Sequence, residues 1–409
     1  MLNKNNVREL AYVITIDDIL PIAGADRVEQ AVVGGWHIMT RKGQFEPGDS
    51  AIYFEIDSKV PETETFEFLA PKHYKVKTQK YFKGTVISQG LLMSAEDFGW
   101  TVQIEPLGGV RTEVIIDDEG KAHYPNDESR FLTEKLGVKY AVDEDNVRKA
   151  ASADKYKKMS QRNGKLFSHQ PFRWLMKREW GKKLLFIFFG NKKDKKGWPA
   201  WVQKTDEERI QNMPWILEDK NPWIATEKID GTSTTFTIKR GKGFKKNEFY
   251  ICSRNVVFDK PDKKCFYDTN VYIEMAEKYN VEKVLTDLLK KYPNEDWITI
   301  QGETYGAGVQ KRDYSMKNHD FMAFNLIMSK TGRWNTVHMK KELEEYNIPS
   351  VPIVDEEFIL PDSVEELLDY ATGKSVVDGG MREGIVFRYK DGSKSFKAVS
   401  NEFLLKYHQ

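Results

Sequence analysis

The chain has 409 residues, 40% hydrophobic and 12% aromatic, which is enough apolar material for two buried cores and makes two domains the default expectation. Its 63 Lys and Arg offset 62 Asp and Glu, and a net charge of +1 excludes a molecule-wide attractive field, so any binding to nucleic acid needs a local patch. The longest apolar run, Leu184 to Phe189, is too short to span a bilayer, and Met1-Leu2-Asn3-Lys4-Asn5 opens no signal core, so no membrane or secretory role is expected.

In chain order, the first hundred residues read as short strands with turns at Gly34-Gly35 and Pro47-Gly48-Asp49. Ile52, Phe54 and Ile56 alternate with Tyr53, Glu55 and Asp57, the pattern of a half-buried strand. A small barrel is expected, and composition does not separate an OB-fold from another five-stranded barrel. Residues 101–150 are acidic and turn-rich, with Asp117-Asp118-Glu119-Gly120 as a hairpin candidate, and read as an insertion. From Ala153 to Gly197 there are 14 Lys or Arg against 3 acidic residues, interleaved with Tyr156, Phe167, Phe172, Trp174 and Trp180. Bases that neutralise phosphate beside aromatics that stack suit single strands or nicked ends; a solvated linker gives the same composition. The middle of this stretch, Pro171 to Phe189, reads as a partly buried helix.

Beyond it, Lys228-Ile229-Asp230-Gly231 stands at a strand-to-turn junction, with Thr235-Phe236-Thr237-Ile238 as the return strand. Ser253-Arg254-Asn255 is either a ribose- or phosphate-holding triplet or a surface turn. Ile273, Ala276, Val284, Leu285 and Leu288 mark a helix between 270 and 291 ended by Pro293, and Ser363 with Glu366 forms a capping box for another over 363–371. Trp297-Ile298-Thr299-Ile300-Gln301-Gly302-Glu303 is an apolar strand ending in a carboxylate. Asp320-Phe321-Met322-Ala323-Phe324-Asn325-Leu326 alternates so that one face carries Phe324. Arg382-Glu383-Gly384-Ile385-Val386-Phe387-Arg388 and Ser395-Phe396-Lys397-Ala398-Val399 complete the series. No 20- to 50-residue repeat is apparent.

The lysine explains what the other segments are for. An amine with a pKa near 10.4 is only about one part in 2,500 neutral at pH 7, a deficit of roughly 4 to 5 kcal/mol for a nucleophile. Nearby cations lower that pKa and stabilise charge growing on a phosphate under attack. A nucleotidyl-transferring lysine therefore calls for carboxylates to hold a metal, a second basic residue and an aromatic platform for a base. The acids here are oxygen donors suited to magnesium or manganese rather than zinc. Cys252 and Cys265 form no CxxC pair, the seven histidines form no HExxH helix, and so few cysteines suit a reducing compartment.

Taken in order, these segments resemble the covalent nucleotidyltransferase superfamily of ATP-dependent ligases and messenger-RNA capping enzymes, and most closely RNA ligases of the Naegleria and Deinococcus type. Trp201-Val202-Gln203-Lys204-Thr205-Asp206-Glu207-Glu208-Arg209-Ile210-Gln211-Asn212 resembles the segment leading into their nucleotide pocket, and Ser88-Gln89-Gly90-Leu91-Leu92 resembles their N-terminal module. The likeness implies an α+β chain: a C-terminal nucleotidyltransferase domain of antiparallel sheets flanked by helices, and an N-terminal OB-fold β-barrel. The expected boundaries are 1–150 for the OB module with its insertion, 151–197 for the basic linker and 198–409 for the transferase.

Carried over by position, the resemblance implies that Lys228 becomes a lysyl-adenylate with ATP, while Lys397 contacts the α-phosphate and Phe324 stacks on adenine. Arg254 would lie near the ribose or a 5′-phosphate, and Glu227, Asp230, Glu303 and Glu383 at the nucleotide. Asp230, Glu303 and Glu383 would also serve the Mg²⁺ or Mn²⁺ and its waters. The superfamily commonly ends in lysine, any residue, lysine; here Ser395 and Val399 flank Lys397 at that spacing, so the partner lysine is open. DNA ligases and capping enzymes usually carry a further OB module after the last lysine strand, and only 12 residues follow Lys397. The expectation is an intracellular, monomeric RNA ligase, host or viral, sealing 3′-OH/5′-phosphate ends or nicks. The alternatives are a capping-type transferase, a nick ligase acting mainly on DNA, and a non-catalytic nucleic-acid binder.

Overall fold

The computed structural model describes residues 1–107, 110–141, 198–204, 206–258 and 269–407, with isolated positions between 169 and 185. The chain forms two compact units, one made of 1–140 together with 198–409 and the other of 141–197. The acidic residues from 142 onward, most of the basic stretch and the helix expected over 171–189 lie outside the described residues, apart from those isolated positions.

In the N-terminal part, Ser50–Phe54 runs antiparallel between Ala11–Thr15 and Leu91–Met93, while Asp18–Pro21, Val28–Val33 and Trp36–Arg41 form a second antiparallel sheet. Gly34 and Gly35 make the two-residue turn of the second sheet, both at positive φ, as that hairpin class requires. Alternation over 52–57 predicts a half-buried strand, but Ser50–Phe54 is buried throughout. The reason is a core on each face: Ile52 and Phe54 pack with Val13, Phe66 and Trp100, and Tyr53 packs with Tyr12, Trp36 and Leu92. Glu55 just beyond is fully buried too, accepting from Arg8 Nε (2.9 Å) and Tyr12 Oη (3.2 Å).

The Ser88-Gln89 pair closes the sheet seam: Ser88 Oγ accepts from Met39 N (3.0 Å) and Gln89 Oε1 from His37 N (3.4 Å). After the barrel, Val110–Ile116 pairs with Thr101–Leu107 on one side and, through the expected turn at Asp117 to Gly120, with Ala122–His123 on the other. Asp117 is no surface acid there. It accepts from His123 Nε2 (2.9 Å) and Lys135 Nζ (2.8 Å), and those bonds outweigh its burial and hold its carboxyl well below the usual range.

The C-terminal part holds two antiparallel sheets. One has the order Ile353–Phe358, Trp223–Lys228, Gly384–Tyr389, Ser395–Val399; the other has Thr232–Lys239 and Trp297–Gly306 at its centre, flanked by Glu248–Cys252 and His319–Met328. The outer face of the second sheet is apolar, with Phe236, Ile298, Ile300 and Phe321 packed under helices Val271–Lys278 and Val281–Lys291. The single helix expected over 270–291 is therefore two. Asn280 takes the left-handed conformation at φ 48, which an unbroken helix cannot accommodate. Helix Val364–Ala371 keeps one half of the expected capping box, Ser363 Oγ accepting from Glu366 N (3.2 Å), and covers the outer face of the first sheet. Among the described residues no helix is long and apolar enough to cross a membrane.

Barrel and transferase sheets meet directly. Leu2 N donates to Asn212 O (2.8 Å), Lys80 Nζ to Leu405 O (2.7 Å), and Ile87 packs with Val399 and Leu404. The barrel turn touches helix Val364–Ala371 so closely that a Cβ on Gly35 would lie 2.5 Å from Val364 Cγ1, at a φ of +77 that L side chains rarely adopt. Gly35→Ala is expected to lower unfolding free energy by about 2–3 kcal/mol, from backbone strain and overpacking together. Denaturant titration at constant m-value measures it.

Candidate active site

Lys228 is the last residue of its strand, and pleating sends residues two apart to the same side. Thr226 and Lys228 share that side with their partners Val386 and Gly384, and with Arg388, Ser395 and Lys397 further across the sheet. The opposite side carries Ala225, Ile385, Phe387, Phe396 and Ala398 in the core beneath helix Val364–Ala371. Facing Lys228 from the second sheet is Glu303, paired across from Ser233. Between the sheets lies a cavity of about 320 Å³ bordered by Lys228, Glu303, Arg254, Phe324, Arg388 and Lys397, among others.

Six residues expected from the sequence thus meet at one cavity: Glu227, Lys228, Arg254, Glu303, Phe324 and Lys397. Glu383 stands behind the nucleophile candidate, 7% exposed, and accepts from Lys228 Nζ at 2.7 Å. Asp230 is equally buried in the turn that follows, where its backbone N–H donates to Tyr314 Oη (2.7 Å). The next residue must be glycine, because a Cβ on Gly231 would sit 2.3 Å from Thr304 O. Glu227 borders the cavity, but its carboxylate is taken: Ser375 Oγ donates to one oxygen (2.5 Å) and Val376 N to the other (2.7 Å).

The second lysine of the last strand has a structural substitute. Ser395 lies directly across from Arg388, which brings a guanidinium to that side of the cavity from the neighbouring strand. Val399 is buried in the joint with Ile87 and Leu404, where a lysine would lose its hydration. Sequence reasoning missed Arg388 and Glu207. Residues 206–209 run beside the last strand, with Lys397 N donating to Glu208 O (2.8 Å) and a parallel bridge from Arg209 to Lys397. This places Glu207 against Ser395 Oγ (2.5 Å) and Arg388 Nη2 (3.4 Å), and Asp206 against Arg254 (2.7 Å). Arg388 also donates to Thr226 Oγ1 (2.9 Å), stands 5.7 Å over the Phe324 ring, and its buried Nε has no acceptor among the described residues. The one available signal was Arg388 at an even offset from Val386, on a strand otherwise apolar.

Burial and charge displace the titrations here in opposing directions. Burial pulls the Lys228 ammonium down, but Glu383, Glu303 and Asp230 together outweigh it and lift its pKa. Burial, and then the charges of Lys228 and Arg209, push Lys397 down to about 8. Burial raises Glu303 to about 8 against the pull of Lys228, with Glu383 and Asp230 adding to the rise. Burial and Glu383 raise Asp230 to about 7. Carboxylates so reluctant to ionise together are stabilised by an added cation, and the amines by an anion.

No group of three or more Asp, Glu, His or Cys among the described residues converges tightly enough to hold a metal alone. A divalent ion beside Asp230, Glu303 and Glu383 would therefore need waters and ligand oxygens to complete its shell, the habit of Mg²⁺. The unmet Arg388 Nε donor and the lysine pair fit an anionic ligand in the same cavity. The Lys397 depression has a measurable cost. Folding pays fully for its charge below pH 8, and the cost fades between about 8 and 10.5. Lys397→Met is expected to be more stable than the parent at pH 7 by about 1–3 kcal/mol, with the advantage lost by pH 10.5, as read by chemical denaturation across that range.

Comparison with known proteins identifies the domains. The RNA ligase family model covers residues 221–408, and an OB-fold domain model covers residues 10–95. A Naegleria gruberi RNA ligase structure with PPi superposes with a TM-score of 0.60 at 25% identity, over 98% of this chain and 99% of that one. A lysine-to-methionine variant of that ligase with AMP and Mn gives 0.61 at 24% identity, over 98% and 100%. A lysine-to-alanine variant with ATP and Mn gives 0.57 at 24%, over 98% of each. No curated protein sequence matches the chain. The chain thus joins an OB-fold domain to a domain of the RNA ligase family, in the fold of the Naegleria enzyme.

Proposed function

We propose that this protein is an ATP-dependent RNA ligase that seals 3′-OH/5′-phosphate ends or nicks through a covalent AMP on Lys228. One observation carries the reading. Lys228 Nζ stands at the mouth of the inter-sheet cavity, 2.7 Å from a buried carboxylate, with a second lysine whose pKa is depressed on the same sheet face. The AMP, ATP, Mn and PPi in the Naegleria ligase structures support the same ligands for this cavity.

Each residue has work that its position allows. Phe324, Val351 and Val386 give the cavity an apolar wall for the adenine, and Arg254 reaches it from the rim. Glu383 receives the Lys228 proton across the 2.7 Å contact, leaving a lone pair to attack the α-phosphorus. A nitrogen–phosphorus bond forms as the bond to pyrophosphate breaks. Lys397 and Arg388 stabilise the charge that grows on the phosphate oxygens. A divalent ion held at the edge of Asp230, Glu303 and Glu383 supplies further positive charge there when bound. The 5′-phosphate of the RNA then displaces Lys228 from phosphorus and takes the AMP. The 3′-hydroxyl finally attacks that 5′-phosphate, loses its proton and expels AMP.

The wider reading is of a monomeric protein in a reducing, intracellular setting. It assigns 1–150 to the OB module with its insertion, 151–197 to a basic RNA-contacting linker and 198–409 to the transferase. The test is covalent labelling with α-labelled ATP and Mn²⁺, followed by sealing of a nicked RNA duplex. Lys228→Ala is expected to lose at least ~10³-fold of the labelling and all sealing, while GTP labels poorly. Labelling that survives in Lys228→Ala would refute the nucleophile assignment, and labelling without sealing would point to a capping-type transferase.

A further inference from the structure

The strand that leaves the nucleophile turn, Thr232–Lys239, ends in a loop whose composition the active site does not explain. Between that strand and Glu248–Cys252 the chain reads Arg240-Gly241-Lys242-Gly243-Phe244-Lys245-Lys246-Asn247, with four basic residues and no acid. Phe244 projects wholly into solvent at 110% relative exposure. Lys242, Lys245 and Lys246 are exposed, and none forms an ion pair with a described residue.

The projection is built firmly at its base. Arg240 donates from Nε to Glu295 O (3.1 Å) and from Nη2 to Leu289 O (2.6 Å), at the C-terminal end of helix Val281–Lys291, where a guanidinium is electrostatically favoured. Gly241 N donates to Asn247 Oδ1 (3.0 Å), closing the loop. Lys239 beneath it stands 4.5 Å over the Trp201 ring, itself pinned by a bond from Nε1 to Thr237 Oγ1 (3.2 Å). Next to Trp201 a groove of about 410 Å³ is bordered by Trp297, Arg333 and Ser395, and Ser395 is the residue that bonds Glu207 at the active cavity. Polar and aromatic surface thus leads from the cavity to the hairpin.

We propose that the Arg240–Asn247 hairpin is a second contact for the RNA substrate, gripping the backbone of a double-stranded arm away from the break. Lys242, Lys245 and Lys246 neutralise phosphates, and Phe244 packs against the exposed sugar edge of the wide, shallow minor groove. The eight-residue strand sets the reach, roughly 27 Å from the nucleophile turn. A chain of net charge +1 has no general field to bring in a polyanion, so a local cluster on the path from the cavity is what selects it. The inference rests on the RNA ligase reading.

The test compares wild type, K242A/K245A/K246A and Phe244→Ala on nicked RNA duplexes at about 0.1 M salt. Because all four residues are exposed, melting temperature and covalent AMP labelling should stay at wild-type levels. The triple variant is expected to raise KM for sealing at least ~10-fold with kcat nearly unchanged, and to flatten the slope of log K against log salt by roughly 2.7. Phe244→Ala should raise KM without changing that slope. Trimming one arm from about twelve to about six base pairs should weaken wild type but not the triple variant. Wild-type KM and salt slope in a triple variant that still labels would overturn the hairpin contact alone. Loss of binding to phosphatidylserine vesicles, with sealing untouched, would overturn it in favour of a membrane role. Absence of labelling in wild type would instead overturn the ligase reading.

Discussion

The site depends on one buried pairing, the Lys228 ammonium against Glu383. Neither ion tolerates burial alone, and together they tie the end of strand Trp223–Lys228 to the residue that opens its partner strand Gly384–Tyr389. The pairing also holds the amine in its unreactive, protonated form, since the surrounding acids outweigh the effect of burial. Chemistry therefore waits for a ligand that satisfies the acids. A divalent cation would do this, stabilising Asp230, Glu303 and Glu383 as anions and weakening their hold on the Lys228 proton.

Strand pleating then decides which residues join that pair. Thr226, Val386, Arg388 and Lys397 reach the cavity because they share a sheet face with Lys228; Glu227, one residue away, is spent on holding the Ser375–Val376 loop. The residues outside the sheet are placed by close backbone approach. Gly231 lets the turn lie on Thr304, and Tyr314 accepts the Asp230 amide, so the segment after the lysine has little freedom.

Much of this was legible because the chemistry is written in short, ordered segments. A lysine before a turn, a carboxylate beside glycine on an apolar strand and an aromatic on an alternating strand each betray a position by local pattern, and Lys228, Glu303, Phe324 and Lys397 do meet, although the strand expected to end at Glu303 runs on to Gly306. Glu207 and Arg388 were not legible as a pair, because their contact is made by residues 206–209 lying along a strand almost 190 positions later. No periodicity records such a meeting. The two-sided burial of Ser50–Phe54 escaped for a related reason: alternation reports a polar face only when that face meets water, and here a second core covers it. The break at Asn280 is a backbone event, invisible in a hydrophobic pattern that continues across it.

The joint between barrel and transferase has a consequence for how the chain can vary. Residues 1–140 and 198–409 are knitted by Gly35 on Val364, Ile87 on Val399 and Leu404, and Leu2 on Asn212, so covalent connection is not what keeps them together. The intervening 57 residues are relieved of any duty as a tether. A backbone cut there should leave two pieces that stay associated, with the nucleotide cavity in place.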